Sequence, residues 1–355
     1  MKKTLSQVNP WQPEQDRAHA LRLDLNENIY APTKKTIQAL RAFSDLTINA
    51  YPHYDHFIEA LADYTKMPEQ SLLPTNGASQ AMMVVIHALF EKGNKVVIPS
   101  PVFYPYYHFL KLEGAKIAPT YYHYNQSQEK WLFPLEETIQ ALNGAKGLIL
   151  VNPNNPIGVA IPNAVIKTLL NEAAKRNIYV IIDEAYIEFG GTSARNYIRN
   201  HPNLMIIRTF SKFFGLTGLR LGYILAQASM IKELSKVKGP WDVNRFATFA
   251  GVSVLKQKEE FLGIKKLIEQ SRQELYLFFK QHQIDTWQSD TNFLTIRLPH
   301  ATSIFDRLVK QKIFVFNLSG YPYSQNLFEQ ALRVTVPINK DLALFQKKFK
   351  QSIDA

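Results

Sequence analysis

The sequence predicts an α/β fold, a mainly parallel sheet covered by helices, with a smaller α+β unit at the carboxyl end. Three observations predict it. Short runs of branched aliphatic residues recur between positions 95 and 207. Stretches with apolar residues at helical spacing accompany them. After Pro240 the alternation stops and a long helical pattern takes over.

The elements follow in order. Residues 1–35 are polar and irregular and end in Asn26-Glu-Asn-Ile-Tyr-Ala-Pro32, an arm expected to cross the body of the protein. A large unit is expected over 36–240. In it Phe57, Ile58, Leu61 and Ala62 line one helix face, and Met82, Val85, Ile86 and Leu89 line another. The apolar runs at 95–98, 147–151, 178–182 and 204–207 read as buried strands. Val165, Ile166, Leu169, Leu170 and Ala173 form a helix between two of them, which makes a βαβ unit. A small unit is expected over 241–355. It starts with helical pattern through 245–282, followed by strands at 292–297 and 332–336 and a helix near 304–311.

The chain has 355 residues and a formal net charge of +11. It contains no run of apolar residues long enough for a transmembrane helix. Met-Lys-Lys is followed by Leu5-Ser-Gln-Val-Asn-Pro10 before any apolar stretch forms, so a signal peptide is not expected and the cytoplasm is. There are no cysteines, which excludes disulfides and thiolate metal sites, and no metal is expected. The densest basic pairs, Lys265-Lys266 and Lys347-Lys348, lie in helix-like segments without aromatic interleaving. That charge fits anionic small molecules better than nucleic acid.

In an open parallel sheet, ligands sit beyond the carboxyl ends of the strands. The segment Arg208-Thr-Phe-Ser-Lys212-Phe-Phe-Gly-Leu-Thr-Gly-Leu-Arg220 follows one such strand. A lysine among aromatic rings loses proton affinity and becomes a nucleophilic amine, and Arg220 can hold a phosphate. Together they suit pyridoxal phosphate. The same segment also suits a buried turn with a snorkelling lysine. Asp183, in Asp183-Glu-Ala-Tyr186, ends another strand and can face a cationic ring nitrogen, with Tyr186 donating to a ring hydroxylate; it can equally cap the next turn. Asn152-Pro-Asn-Asn-Pro-Ile-Gly158 follows a third strand, and Asn155 can offer its amide to the same oxygen; a plain loop reads alike. Gly77, Ala78, Ser79 and Gln80 open a helix whose free N–H groups can bind an anion, though any capped helix starts similarly. Phe103 can stack on a flat ring or belong to an aromatic core. Arg333, in an alternating strand, can take a carboxylate in a bidentate pair, or lie on the surface.

These segments together resemble the class I/II pyridoxal-phosphate aminotransferases of fold type I, and in particular the histidinol-phosphate aminotransferase branch. The resemblance runs from Asn26-Glu-Asn to Leu332-Arg-Val-Thr and rests on the motifs at 152–158, 183–186 and 208–222. It implies that Lys212 forms the Schiff base and shuttles the proton, while Asp183 pairs with the pyridinium nitrogen. Asn155 and Tyr186 would bond the ring oxygen, and Phe103 would stack on the ring. Ala78, Ser79, Gln80, Thr209, Ser211 and Arg220 would hold the phosphate. Tyr51 would reach the cofactor of a second subunit, implying a homodimer with shared sites. Tyr30 would lie near the substrate, and Arg333 would bind its carboxylate.

The chain departs from the family pattern at several places. Ile29 and Ala31 stand in the Asn-Glu-Asn-Pro-Tyr-Gly segment, Ala78-Ser-Gln in the phosphate loop, and Phe103 at a position often held by tyrosine. Trp241-Asp precedes Val243-Asn244. The implied reaction is amino transfer between an amino acid or histidinol phosphate and a 2-oxo acid. A decarboxylase of a phosphorylated amino acid, or a carbon–sulfur lyase, is the alternative on the same scaffold. A regulator built on this domain would need a helix-turn-helix, for which residues 1–35 are too short.

Overall fold

The computed structural model describes residues 3–9, 17, 19–41, 43 and 49–354. Part of the expected arm, residues 1–2, 10–16 and 18, lies outside them. The large sheet has seven strands: β1 Leu72–Thr75, β2 Lys95–Ser100, β3 Lys116–Tyr121, β4 Gly147–Val151, β5 Tyr179–Asp183, β6 Leu204–Thr209 and β7 Gly222–Leu225. Their order is β1-β7-β6-β5-β4-β2-β3. Strand β7 runs antiparallel to both neighbours, and the pairings from β6 through β3 are all parallel.

Alternation along the strands fills two layers, as a sheet buried on both faces requires. Leu148, Leu150, Val180, Ile182, Leu204 and Ile206 face helices Asp55–Thr65 and Asn163–Lys175. Ile149, Val151, Ile181, Met205 and Ile207 face helices Gly77–Leu89 and Pro105–Glu113. Helix Pro105–Glu113 is bounded at both ends by residues suited to the place. Gly114 takes a left-handed φ after Pro105–Glu113, and Pro105 itself opens that helix at a position where a missing N–H costs nothing.

The second sheet contains β8 Phe293–Arg297, β9 Ile313–Asn317 and β10 Ala331–Thr335. Arm residues Leu21–Leu23 pair parallel with β9, so the arm belongs to this sheet. Its core holds Leu23, Leu294, Ile296, Val315, Leu332 and Val334 against helices Ala301–Lys310 and Asn339–Ile353.

The change of pattern at Pro240 is not where the core changes. Helix Arg245–Leu255 buries Ala247, Ala250 and Val254 with Phe57 and Leu61 in the large-sheet core. The following helix, Lys258–Gln281, spans both cores: Phe261 and Ile268 enter the first, Leu275 and Phe279 the second. Among the described residues no helix is long and apolar enough to cross a membrane.

Candidate active site

The strand ends build the site. Asp183 is the last residue of β5, and Thr209 the last of β6. Asn155 lies on the loop after β4, and Phe103 lies just beyond β2. Strand β7 is antiparallel, so its amino end shares the edge with the carboxyl ends of β1 and β6. Gly222 stands opposite both Thr75 and Thr209. That register brings Arg220 beside the start of helix Gly77–Leu89.

The approach is close enough to require glycine. A Cβ on Gly222 would lie 2.7 Å from the Gly77 carbonyl carbon and 2.8 Å from the Arg208 carbonyl oxygen. A Cβ on Gly77, whose φ is +73°, would lie 2.5 Å from the Arg220 guanidinium.

A cavity of about 110 Å³ opens among these elements. It is lined by Ala78, Ser79, Phe103, Asn155, Asp183, Tyr186, Thr209, Ser211, Lys212 and Arg220, together with Met82, Val151, Ala185 and Thr217. Ten of the fourteen residues that the sequence singles out therefore meet at one cavity.

Lys212 is half-buried, and its Nζ donates to the Leu25 carbonyl at 2.7 Å. Burial and then the nearby Arg333 bring its pKa down to about 8. Asp183 is buried and its carboxyl is pushed up to about 6, by burial above all. Two donors oppose that shift: Tyr106 Oη at 2.9 Å and the Ala185 N–H at 2.9 Å. The adjacent Glu184 carboxylate is spent elsewhere, on Arg208 at 2.7 and 2.9 Å and on the Ala194 N–H at 2.6 Å. Asp183 is thus the acid that faces the cavity.

At the phosphate loop, Arg220 donates to Ser211 Oγ and to the Thr217 carbonyl, each at 3.2 Å. The Ser211 N–H donates to Thr209 Oγ1 at 3.0 Å. Burial lowers the Arg220 pKa. One guanidinium, two hydroxyls and a helix start converge there, which is the chemistry of a phosphate cradle. With an aromatic face at Phe103, a carboxylate at Asp183 and an amine at Lys212, the donor set fits a phosphorylated pyridine aldehyde.

Arg333 stands next to this cavity, behind Asn155. The alternation around it suggests a half-exposed strand, but it is 5% exposed. Its guanidinium lies 4.6 Å from the Phe316 ring centroid and 5.4 Å from that of Phe293. It donates to Asn155 Oδ1 at 2.7 Å and to the Asp24 carbonyl at 2.5 Å, while its Nε is buried without a partner. A buried donor left over is what an incoming carboxylate would satisfy.

Three singled-out residues point elsewhere. Gln80 accepts from the Asn76 N–H at 2.7 Å and donates to Asp242 at 2.5 Å, so its side chain serves the helix start and a neighbouring loop. The Tyr30 hydroxyl donates to Asp341 at 3.2 Å and accepts from the Ile338 N–H at 2.8 Å, outside the cavity lining. Tyr51 is 68% exposed and stacks on Trp241, ring centroids 4.2 Å apart. Sequence reasoning missed Tyr106, Leu25 and Asn26. Tyr106 had a signal, lying three residues beyond Phe103 in the same aromatic run; Leu25 acts through its backbone and left none.

The chain is similar to known proteins in sequence and in fold. The profile of the family described as aminotransferase class I and II matches residues 18–343. A histidinol-phosphate aminotransferase of Ruminiclostridium cellulolyticum is 28% identical over 90% of this chain and 88% of its own. A protein of Caldanaerobacter subterraneus provisionally named a threonine-phosphate decarboxylase is 32% identical over 84% of this chain and 82% of its own. The crystal structure of a histidinol-phosphate aminotransferase from Sinorhizobium meliloti in complex with pyridoxal-5'-phosphate superposes with a TM-score of 0.87 at 21% identity. It covers 100% of this chain and 97% of that one.

Proposed function

The chain belongs to the class I and II aminotransferases, and on that premise we propose that it moves an amino group between an amino acid or histidinol phosphate and a 2-oxo acid such as 2-oxoglutarate. Pyridoxal phosphate is the cofactor of this family. When bound, it supplies an aldehyde that captures amines and a ring that draws electrons from the captured carbon.

The observation that carries the reading is the shared cavity of Lys212 and Asp183. Lys212 would hold the cofactor through its amine and would carry the proton at the reacting carbon. A pKa of about 8 suits both tasks, because the amine is partly neutral at working pH and can still pick up a proton. Asp183 holds the ring nitrogen protonated. Tyr186 and Asn155 bond the ring oxygen, and Phe103 covers a ring face. Ala78, Ser79, Thr209, Ser211 and Arg220 hold the phosphate. Gln80, whose side chain is engaged by Asn76 and Asp242, joins them through its main-chain N–H. Arg333 takes the donor's carboxylate, or the equivalent end of a substrate without one. Tyr30 supports the substrate side through its contacts to Asp341 and Ile338.

We place Tyr51 in a homodimer, reaching the cofactor of a second copy. Its exposure and its stacking on Trp241, itself 52% exposed, support that placement.

The test supplies purified protein with pyridoxal phosphate, 2-oxoglutarate and a set of donors: histidinol phosphate, aromatic amino acids and other amino acids. Amino transfer to the oxo acid from at least one donor is expected. Its absence with every donor would overturn the reading. A second reading, decarboxylation of a phosphorylated amino acid, draws support from the 32% identity to the protein named a threonine-phosphate decarboxylase. Carbon dioxide released from phosphothreonine without an oxo acid would favour it.

A further inference from the structure

We propose that Asn26 is a positioning residue for the reaction, one that aims the hydroxyl proton of Tyr186 into the cavity and turns the Leu25 carbonyl onto Lys212. The assignment rests on the pyridoxal-phosphate reading above.

Asn26 is 1% exposed and lies at φ +54°. That left-handed conformation is strained for most residues and is best tolerated by asparagine and glycine. Its main chain is pinned on both sides. The Asn26 N–H donates to Thr335 Oγ1 at 3.1 Å, and its carbonyl accepts from Asn292 Nδ2 at 3.2 Å. The φ of residue 26 sets the plane of the peptide before it. The Leu25 carbonyl in that peptide is the acceptor for Lys212 Nζ.

The side chain acts in the other direction. Thr335 Oγ1 donates to Asn26 Oδ1 at 3.1 Å, which leaves Nδ2 to face Tyr186. Nδ2 donates to Tyr186 Oη at 2.9 Å. Asn155 Nδ2 is a second donor to the same oxygen at 3.4 Å, and its orientation is unambiguous because the Arg333 guanidinium can only donate to Asn155 Oδ1. A phenolic oxygen that accepts from two amides has its own hydrogen left for a third partner. Tyr186 lines the cavity, so that hydrogen is available to an anionic ring oxygen there.

The arm therefore meets the site with consecutive residues. The Asp24 carbonyl accepts from Arg333, the Leu25 carbonyl from Lys212, and Asn26 donates to Tyr186. The charged groups around Tyr186 are Asp183, Arg333 and Lys212, the last with Nζ 6.0 Å from the ring centroid. Asn26 and Asn155 are neutral donors among them, Asn26 at the shorter distance. The contribution of Asn26 is direction, not charge.

The test is a pH titration of the visible cofactor band in wild-type protein, Asn26→Gly, Asn26→Asp, Tyr186→Phe and the Asn26→Gly/Tyr186→Phe double variant. Glycine keeps the left-handed backbone and removes the amide. Aspartate keeps the shape and replaces the donor with an acceptor. Weaker donation to the ring oxygen raises the chromophore's pKa. Asn26→Gly should raise it by about 0.5–1 unit, and Asn26→Asp by more. In the Tyr186→Phe background Asn26→Gly should add nothing. An anchor that only holds the arm would lower the melting temperature and leave the band's pKa at the wild-type value. That result, or an equal shift with and without the Tyr186 hydroxyl, would overturn the assignment. If Asn26→Gly folds poorly, the Asn26→Asp titration decides by the same criterion. No cofactor band in the wild-type protein would overturn the underlying reading, and this assignment with it.

Discussion

Tyr106 donates its phenolic hydrogen to Asp183 Oδ2 at 2.9 Å from inside the helix layer, beneath the cavity. Burial drives the Asp183 carboxyl toward its neutral form, and this bond with the Ala185 N–H resists it. Removing it with Tyr106→Phe leaves the carboxylate short of a donor. A hydrogen bond to a buried charge contributes about 1.5–3 kcal/mol, so cofactor affinity should fall at least about tenfold. A spectral titration with pyridoxal phosphate checks this, and an unchanged affinity would remove Tyr106 from the account.

Lys212 predicts a pH profile. Its pKa in the fold is about 8, below the ordinary lysine value of 10.5. The neutral amine is the nucleophile, so capture of pyridoxal phosphate should rise through pH 8 and fall by about a hundredfold at pH 6. The sign for stability is the same. Between about 8 and 10.5 the unfolded chain binds the extra proton, so this group's contribution to stability grows as pH rises across that window and is lost as pH falls. Asp183 acts oppositely: its folded pKa of about 6 exceeds the usual 3.8, so its contribution is present at low pH and lost as pH rises through 6. Stopped-flow capture rates from pH 6 to 9 read the first effect. A rate that keeps rising about tenfold per pH unit up to pH 9 without levelling off would contradict the lowered amine pKa.

Gly222→Ala should be costly far beyond a methyl group. The new Cβ would stand under 3 Å from backbone atoms of Gly77, Ala78 and Arg208, none of which is a flexible tip. A loss of about 2 kcal/mol or more is expected, with a matching drop in melting temperature. Weaker phosphate retention should follow, because the clash pushes apart the strand that leads from Arg220 and the helix start. Wild-type melting behaviour would show that the two backbones can separate freely.

Arg333→Lys tests the carboxylate site. Lysine keeps the charge but loses the planar fork and the stacking on Phe316. KM for an amino-acid donor should rise more than about tenfold while cofactor affinity changes little. Equal losses in both would place Arg333 in the scaffold.

Much of this was legible in the sequence, and the reasons are specific. The run 147–151 is a strand at just those positions, because a buried parallel strand needs an unbroken apolar run. The chemistry at 152–155, 183–186 and 209–212 was readable because it follows such runs directly. Strands β1 and β7, four residues each, offered too short a pattern. Arg333 looked half-exposed because its alternation hides the aromatic rings and arm that bury it. Gln80 and Tyr30 turn away for partners, Asp242 and Asp341, distant in sequence. The shared core of helix Arg245–Leu255 was hidden for the same reason: its partners Phe57 and Leu61 lie far upstream.

Every role proposed for the cavity depends on Lys212 carrying the cofactor. The direct measurement is reduction of the pyridoxal-phosphate-loaded protein with borohydride, followed by peptide mass mapping. A single pyridoxyl-modified residue, Lys212, is expected, and none in Lys212→Ala. A label on another lysine, or wild-type labelling that survives Lys212→Ala, would contradict it.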